Sequence, residues 1–182
     1  MSLQTWNELL YSSVTDATQI SNSTTETIMV PDTNLPEKYW YPSRTVKATL
    51  IGNMSNVATT PGTLTLRARF GGVAGTVLAA SAALALSTTA RTAANFWIEF
   101  FITCRAAGWS TTAGTLRTSG RCCLGLSASV SGRVDNIPDI SNADVASLDL
   151  RSASVLSFTA QFSVSTSPTN LRVDQFLFEA MN

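Results

Sequence analysis

Histidine is absent from this chain. With it go the commonest general base, the Ser-His and Cys-His dyads and the commonest transition-metal ligand. Charge is scarce as well: charged residues make up 13% of the sequence, and twelve basic residues balance twelve acidic ones. A neutral, sparsely charged chain has no electrostatic reason to seek nucleic acid or an anionic membrane, so neither is expected as a partner. It also has little charge with which to keep its surface wet, which points to a surface partly covered by neighbours. Cysteine supplies no framework. Cys104, Cys122 and Cys123 make an odd count, and adjacent cysteines do not readily bridge each other. They are expected as reduced strand residues that pack as small hydrophobes. No apolar run is long enough to span a bilayer, and the longest tract, 77–86, is interrupted by Ser81. Met1-Ser2-Leu3-Gln4-Thr5 lacks the basic and apolar regions of a signal peptide, so synthesis in the cytoplasm is expected.

The remaining chemical signals are equally thin. Zinc held by the three cysteines would lack a fourth soft ligand and paired spacing. Asp135, Asp139, Asp144 and Asp149 carry enough oxygen for calcium, but their spacing is not that of an EF-hand, and they read as solvated loop carboxylates. Gly71-Gly72-Val73-Ala74-Gly75 is not followed by Lys-Ser/Thr, so it is a turn and not a phosphate loop. No pair of carboxylates is singled out for glycoside hydrolysis. The expectation is a non-enzymatic protein with no catalytic residue, no metal site and no cofactor.

What the sequence does contain is alternation. In Leu64-Thr65-Leu66-Arg67-Ala68-Arg69-Phe70 the even positions are apolar and two arginines face out, the pattern of a half-buried strand. Val46, Ala48 and Leu50 repeat it, and so do Leu156, Phe158, Ala160, Phe162 and Val164. Leu171 and Val173 are one step out of phase with Phe176, Phe178 and Ala180, which a bulge near Asp174-Gln175 would correct. Pro61-Gly62 reads as a type II turn, with glycine supplying the positive φ. The stretch 111–116 echoes 59–64. Long amphipathic helices are missing, and strands of this number with long end loops predict an all-β protein: an antiparallel jelly-roll-like β-sandwich with an extended N-terminal arm. The expected division is residues 1–42 as arm and aromatic loop, and 43–182 as the sandwich. A chain of this length can bury a core without staples.

Three groups stand out as contact candidates. Trp6, Leu9 and Leu10 give the N-terminal arm an apolar side. Tyr39-Trp40-Tyr41 sits in a polar loop flanked by Pro36 and Pro42. Rigid rings bury much area at low entropic cost, so this cluster reads either as a contact surface or, through Trp40, as a plug for the end of the sandwich core. Between Asn95 and Arg105 the face bearing Phe96, Ile98, Phe100, Ile102 and Cys104 is apolar, but the opposite face also carries Trp97 and Phe101. Either another segment of the chain covers those two rings, or another subunit does, which makes them the expected oligomer interface.

The strands Gly62–Arg67, Val77–Ala80, Phe96–Arg105 with its Thr103-Cys104-Arg105, and Leu171–Glu179 together resemble small β-sandwich virion proteins of tailed bacteriophages, particularly those infecting aquatic bacteria and cyanobacteria. The resemblance covers most of the chain beyond the first forty residues. It implies a head decoration, or cement, protein on the capsid surface. Such a protein is often a homotrimer, and it stabilises the shell by bridging subunits of the major capsid protein. The alternative it leaves open is a receptor-binding or carbohydrate-binding module of the tail.

Overall fold

The computed structural model describes residues 7–13, 15–110, 113–125, 134–137 and 144–181. Trp6 and Asp139, together with the side chain of Asp135, lie outside the described residues. The strands in chain order are β1 (Asn7–Ser12), β2 (Ile20–Ser21), β3 (Thr27–Ile28), β4 (Thr33–Leu35), β5 (Thr45–Asn56), β6 (Thr63–Phe70) and β7 (Thr76–Ala80). They continue with β8 (Leu84–Ala85), β9 (Arg91–Ala106), β10 (Gly114–Leu124), β11 (Val134–Ile137), β12 (Asp144–Leu148), β13 (Ser154–Phe162) and β14 (Asn170–Met181).

These strands form two antiparallel sheets. One runs β1-β14-β5-β9-β10-β11, with β2 also on β14 and β12 also on β10. The other runs β3-β13-β6-β7, with β4 also on β13 and β8 also on β6. With β1 and β2 sharing one edge position and β3 and β4 another, early strands pair with the last ones and the chain crosses repeatedly between the sheets. This is the winding of a jelly roll, extended on one side by β10, β11 and β12. The expected all-β sandwich is therefore present.

Alternation builds the core as expected. Leu64, Leu66 and Ala68 of β6 face Val46, Ala48 and Leu50 of β5 across a dry interior, all at most 1% exposed. Phe158 of β13 is the hub, its ring 5.3 Å from that of Phe100 and 5.9 Å from that of Phe176. The register between β14 and β5 shifts between Val173 and Gln175. That bulge allows Leu171, Val173, Phe176, Phe178 and Ala180 all to point inward. Gly62 has φ 72°, as the Pro-Gly turn requires. Its echo at Gly114 is different: Gly114 opens β10, and a Cβ there would press on Leu150.

The N-terminal boundary needs correction. Residues 7–42 are not an arm attached to a finished sandwich. They supply edge strands to both sheets, and Ile20, Met29, Val30, Leu35 and Trp40 belong to the core. The reason is visible on the outer face of β6 and β13. Arg67 and Arg69 do face outward, but Glu26 lies over them. Its carboxylate accepts hydrogen bonds from Arg69 Nε at 2.6 Å, Arg69 Nη2 at 2.7 Å, Arg67 Nη1 at 3.1 Å and the Thr159 hydroxyl at 2.5 Å. Ser157 donates to Asp32 at 2.6 Å beside it. The segment around Glu26 buries Ser157 and Thr159, which alternation alone assigns to solvent.

The Arg69 hydrogen bonds hold the Glu26 carboxyl below its ordinary value. A group depressed on folding stabilises the native state above its unfolded pKa, and that stability is lost as pH falls through the folded pKa. Glu26→Gln should therefore cost about 2 kcal/mol near neutrality, between an exposed and a buried pair. The difference from wild type should shrink in acid. Urea midpoints measured from neutral to acidic pH check this, and a difference independent of pH would assign the loss to packing.

Candidate functional site

The loop 36–44 joins β4 to β5 at one end of the sandwich. Its path is fixed by backbone bonds: Tyr39 N–H donates to Pro36 O, Lys38 N–H to Arg151 O, and Ser43 N–H and Cys104 N–H exchange bonds with Cys104 O and Arg44 O. Lys38 and Ser43 take positive φ to make the turns. Within this frame the Arg44 guanidinium carbon lies 4.4 Å from the Tyr39 ring centre and 4.1 Å from that of Tyr41. The cation is thus held between two rings, a favourable use of their negative faces. Arg44 Nη1 also donates to Tyr39 O at 2.9 Å. Burial pushes the Tyr39 phenol up to about 12, with Arg44 working in the opposite direction, so the hydroxyl keeps its proton.

Trp40 turns the other way. It is 0% exposed and packs edge-on to Tyr39 at 5.5 Å. As a direct contact residue Trp40 is therefore corrected: its ring plugs the end of the core. Its backbone carbonyl, by contrast, accepts the indole N–H of Trp109 at 3.1 Å. Trp109 follows β9 in the turn Ala107-Gly108-Trp109-Ser110 and is 59% exposed. Tethered by that bond, it stands on the surface beside the Tyr39-Arg44-Tyr41 stack. The sequence reading missed it; the available signal was a tryptophan directly after a glycine, where neither alternation nor a core face accounts for a large ring.

The other candidates lie elsewhere. Leu9 of β1 is 58% exposed, while Leu10 is half-buried and packs against the core at the sheet edge. Trp97 and Phe101 are half-buried on the outer face of the longer sheet, with Ile51 beside Trp97 and Lys47 beside Phe101. Arg121 lies 4.9 Å from the Trp97 ring centre and Lys47 lies 5.9 Å from that of Phe101. Between the rings Glu99 is buried and bridged to Lys47 at 2.9 Å and to Arg121 at 3.1 Å. Much of the cover over these aromatics thus comes from the chain's own long cations, whose stems lie along apolar surface.

Cys104 and Cys122 are buried, Cys123 is half-buried, and none of the three is in a disulfide. Burial pushes the Cys104 thiol up, away from the reactive thiolate. Of the loop aspartates, Asp144 pairs with Arg117 at 2.7 Å. Asp149 accepts from the Arg151 backbone and the Ser152 hydroxyl, which lower its pKa. Among the described residues no group of three or more His, Cys, Asp or Glu side chains is placed to hold a metal ion. Among them no helix is long and apolar enough to cross a membrane.

No protein-family model matches the chain, and no curated protein matches it. Among solved structures it is similar to the CBM2 module of Lactobacillus casei BL23 phage J-1 evolved Dit. The TM-score is 0.36 at 10% identity, and the match covers 83% of this chain and 68% of that one.

Proposed function

We propose that this chain is a non-catalytic virion protein of a tailed bacteriophage, a cement protein that docks on the major capsid protein through the aromatic end of its sandwich. The observation that carries the docking site is Trp109, 59% exposed and hydrogen-bonded in place beside Tyr39, Arg44 and Tyr41. Trp, Tyr and Arg are the residue types that dominate binding energy when they are pre-positioned at the centre of a contact. The virion setting is supported by the strand resemblance and by a neutral, charge-poor composition suited to a surface that ends up covered. The face bearing Trp97, Phe101 and the exposed Leu177 is the surface for contacts between copies in a homotrimer. Its charges Lys47, Glu99 and Arg121 are already paired, which lowers the cost of covering them with a second copy.

Trp109→Ala should weaken binding to phage heads lacking this protein by about 2 kcal/mol or more, roughly 30-fold in Kd. Its cost in stability should be about 1 kcal/mol or less, because only one hydrogen bond from an exposed ring is removed. Co-sedimentation with heads measures the first, thermal denaturation the second, and light scattering reads the oligomer. A second reading, a receptor-binding or carbohydrate-binding module of the tail, is favoured by the same tethered ring, since a fixed tryptophan face is a stacking platform. Unchanged head binding by Trp109→Ala, with loss of adsorption to host cells, would select that reading.

A further inference from the structure

We infer that the group the aromatic end receives from its protein partner is the carboxylate of an acidic side chain, and that Arg44 receives it. The inference rests on the docking reading of the same end. Arg67, Arg69, Arg117, Arg121, Arg151 and Arg172 each lie against a carboxylate. Arg91 and Arg105 are exposed to water. Arg44 is half-buried, yet among the described residues no carboxylate lies within ion-pair distance of it. Glu8 acts on Tyr39 through space, and among the described residues no ion pair joins it to Arg44. A cation removed from water is costly unless it is paired, and the two tyrosine rings compensate only in part.

Around Arg44, whose Nη1 bonds to Tyr39 O, three further polar atoms able to donate lack an acceptor. Arg44 Nε, the Tyr39 hydroxyl and Trp40 Nε1 are buried and have no hydrogen-bond partner among the described residues. All three of those atoms are sealed from solvent, but Arg44 as a residue is only half-buried, so a carboxylate would reach its guanidinium from the outer, Nη side. A planar guanidinium with unused N–H groups, fixed between two rings, matches a carboxylate in shape and charge better than any neutral acceptor. Trp109 beside it supplies the apolar anchor, and Arg44 supplies selection by charge.

The test uses the full chain and heads prepared without it. Arg44→Gln removes the charge and Arg44→Lys keeps the charge but loses the planar fork. Both should weaken head binding by roughly 30-fold. In a second measurement, a short peptide containing aspartate and glutamate is titrated into the ¹⁵N-labelled wild-type chain. It should shift the Arg44 Nε and Trp109 indole signals, and the same peptide with asparagine and glutamine should not. If Trp109→Ala weakens head binding while both Arg44 variants bind as wild type, the docking reading stands and the carboxylate inference falls. If none of the three weakens it, both fall. If an Arg44 variant fails to fold, the titration decides: equal shifts with acidic and amide peptides overturn the inference. Shifts with glucuronic acid and none with the acidic peptide would also overturn it, in favour of a glycan.

Discussion

Gly52→Ala is expected to destabilise the chain by about 4 kcal/mol or more, a large share of what a domain of this size holds in reserve. Gly52 lies in the middle of β5, opposite Val173 of β14 on one side and Phe96 of β9 on the other. A Cβ built there would overlap the carbonyl oxygen of Arg172, and would stand 2.9 Å from both Val173 Cα and the tip of the Phe96 ring. Two of those three atoms are backbone, so no change of rotamer relieves the overlap, and β14 must move away from β5 just where its bulge begins. The consequence is not local. The bulge keeps Leu171 and Val173 in phase with Phe176 and Phe178, and a shift there turns one set toward solvent. A useful comparison is Gly72→Ala in the β6–β7 turn. Nothing lies within 4 Å of a Cβ at that site, so only its positive φ is penalised, at about 1–2 kcal/mol. Urea denaturation of the two variants should separate them clearly. A Gly52→Ala chain that unfolds at the wild-type midpoint would mean that β5 and β14 do not approach so closely at Val173, and that their register is different.

The bulge also marks how far the sequence could be read. A strand has a period of two, so a single step out of phase between Val173 and Phe176 can only be reconciled with one buried face by an extra residue, and Asp174 is that residue. The same logic located the inward faces of β5, β6, β9 and β13. It failed where burial is not decided within one strand. Ser157 and Thr159 look like solvent-facing positions, and become buried because Glu26, more than a hundred residues earlier, brings a carboxylate to Arg67 and Arg69. Nothing local in a Ser/Thr/Asn-rich stretch says that one of its few acids will find two arginines across the fold. The domain boundary at residue 42 went wrong for that reason.

At the candidate site the sequence left two roles open for the aromatic loop, for a related cause. Three consecutive aromatics in a loop cannot all face one way, and the sequence does not say which one turns inward. The chain fixes this by pinning Tyr39, Ser43 and Arg44 through backbone hydrogen bonds, which leaves Trp40 over the core and the two tyrosines around Arg44. The exposed ring is then supplied from another connection altogether. Trp109 is separated from Trp40 by 69 positions and meets its carbonyl only because β9 runs antiparallel to β5 and ends beside the start of that strand. The jelly-roll winding is thus what assembles the site: it delivers two loops to the same end of the sandwich, one carrying the plug and the cation, the other the exposed anchor.

Trp40 separates the two roles. Trp40→Ala is expected to cost about 3–5 kcal/mol, the usual range for deleting a buried large aromatic side chain. Trp40→Phe should cost about 2 kcal/mol or less, because it keeps most of the volume and the lost indole N–H has no hydrogen-bond partner among the described residues to forfeit. The acceptor for Trp109 is the Trp40 backbone carbonyl, which phenylalanine retains, so the exposed ring should stay in place. Head binding by Trp40→Phe should then match wild type within about twofold at a temperature where both are folded, less than the effect of one ordinary contact. Trp40→Ala should lose binding only as far as it loses structure. Thermal melts followed by tryptophan fluorescence give the stabilities, and co-sedimentation at low temperature gives the binding. If Trp40→Phe kept its melting temperature yet bound heads tenfold more weakly, the ring would be touching the partner, and the loop would have to open on docking to expose a side chain that is 0% exposed in the free chain.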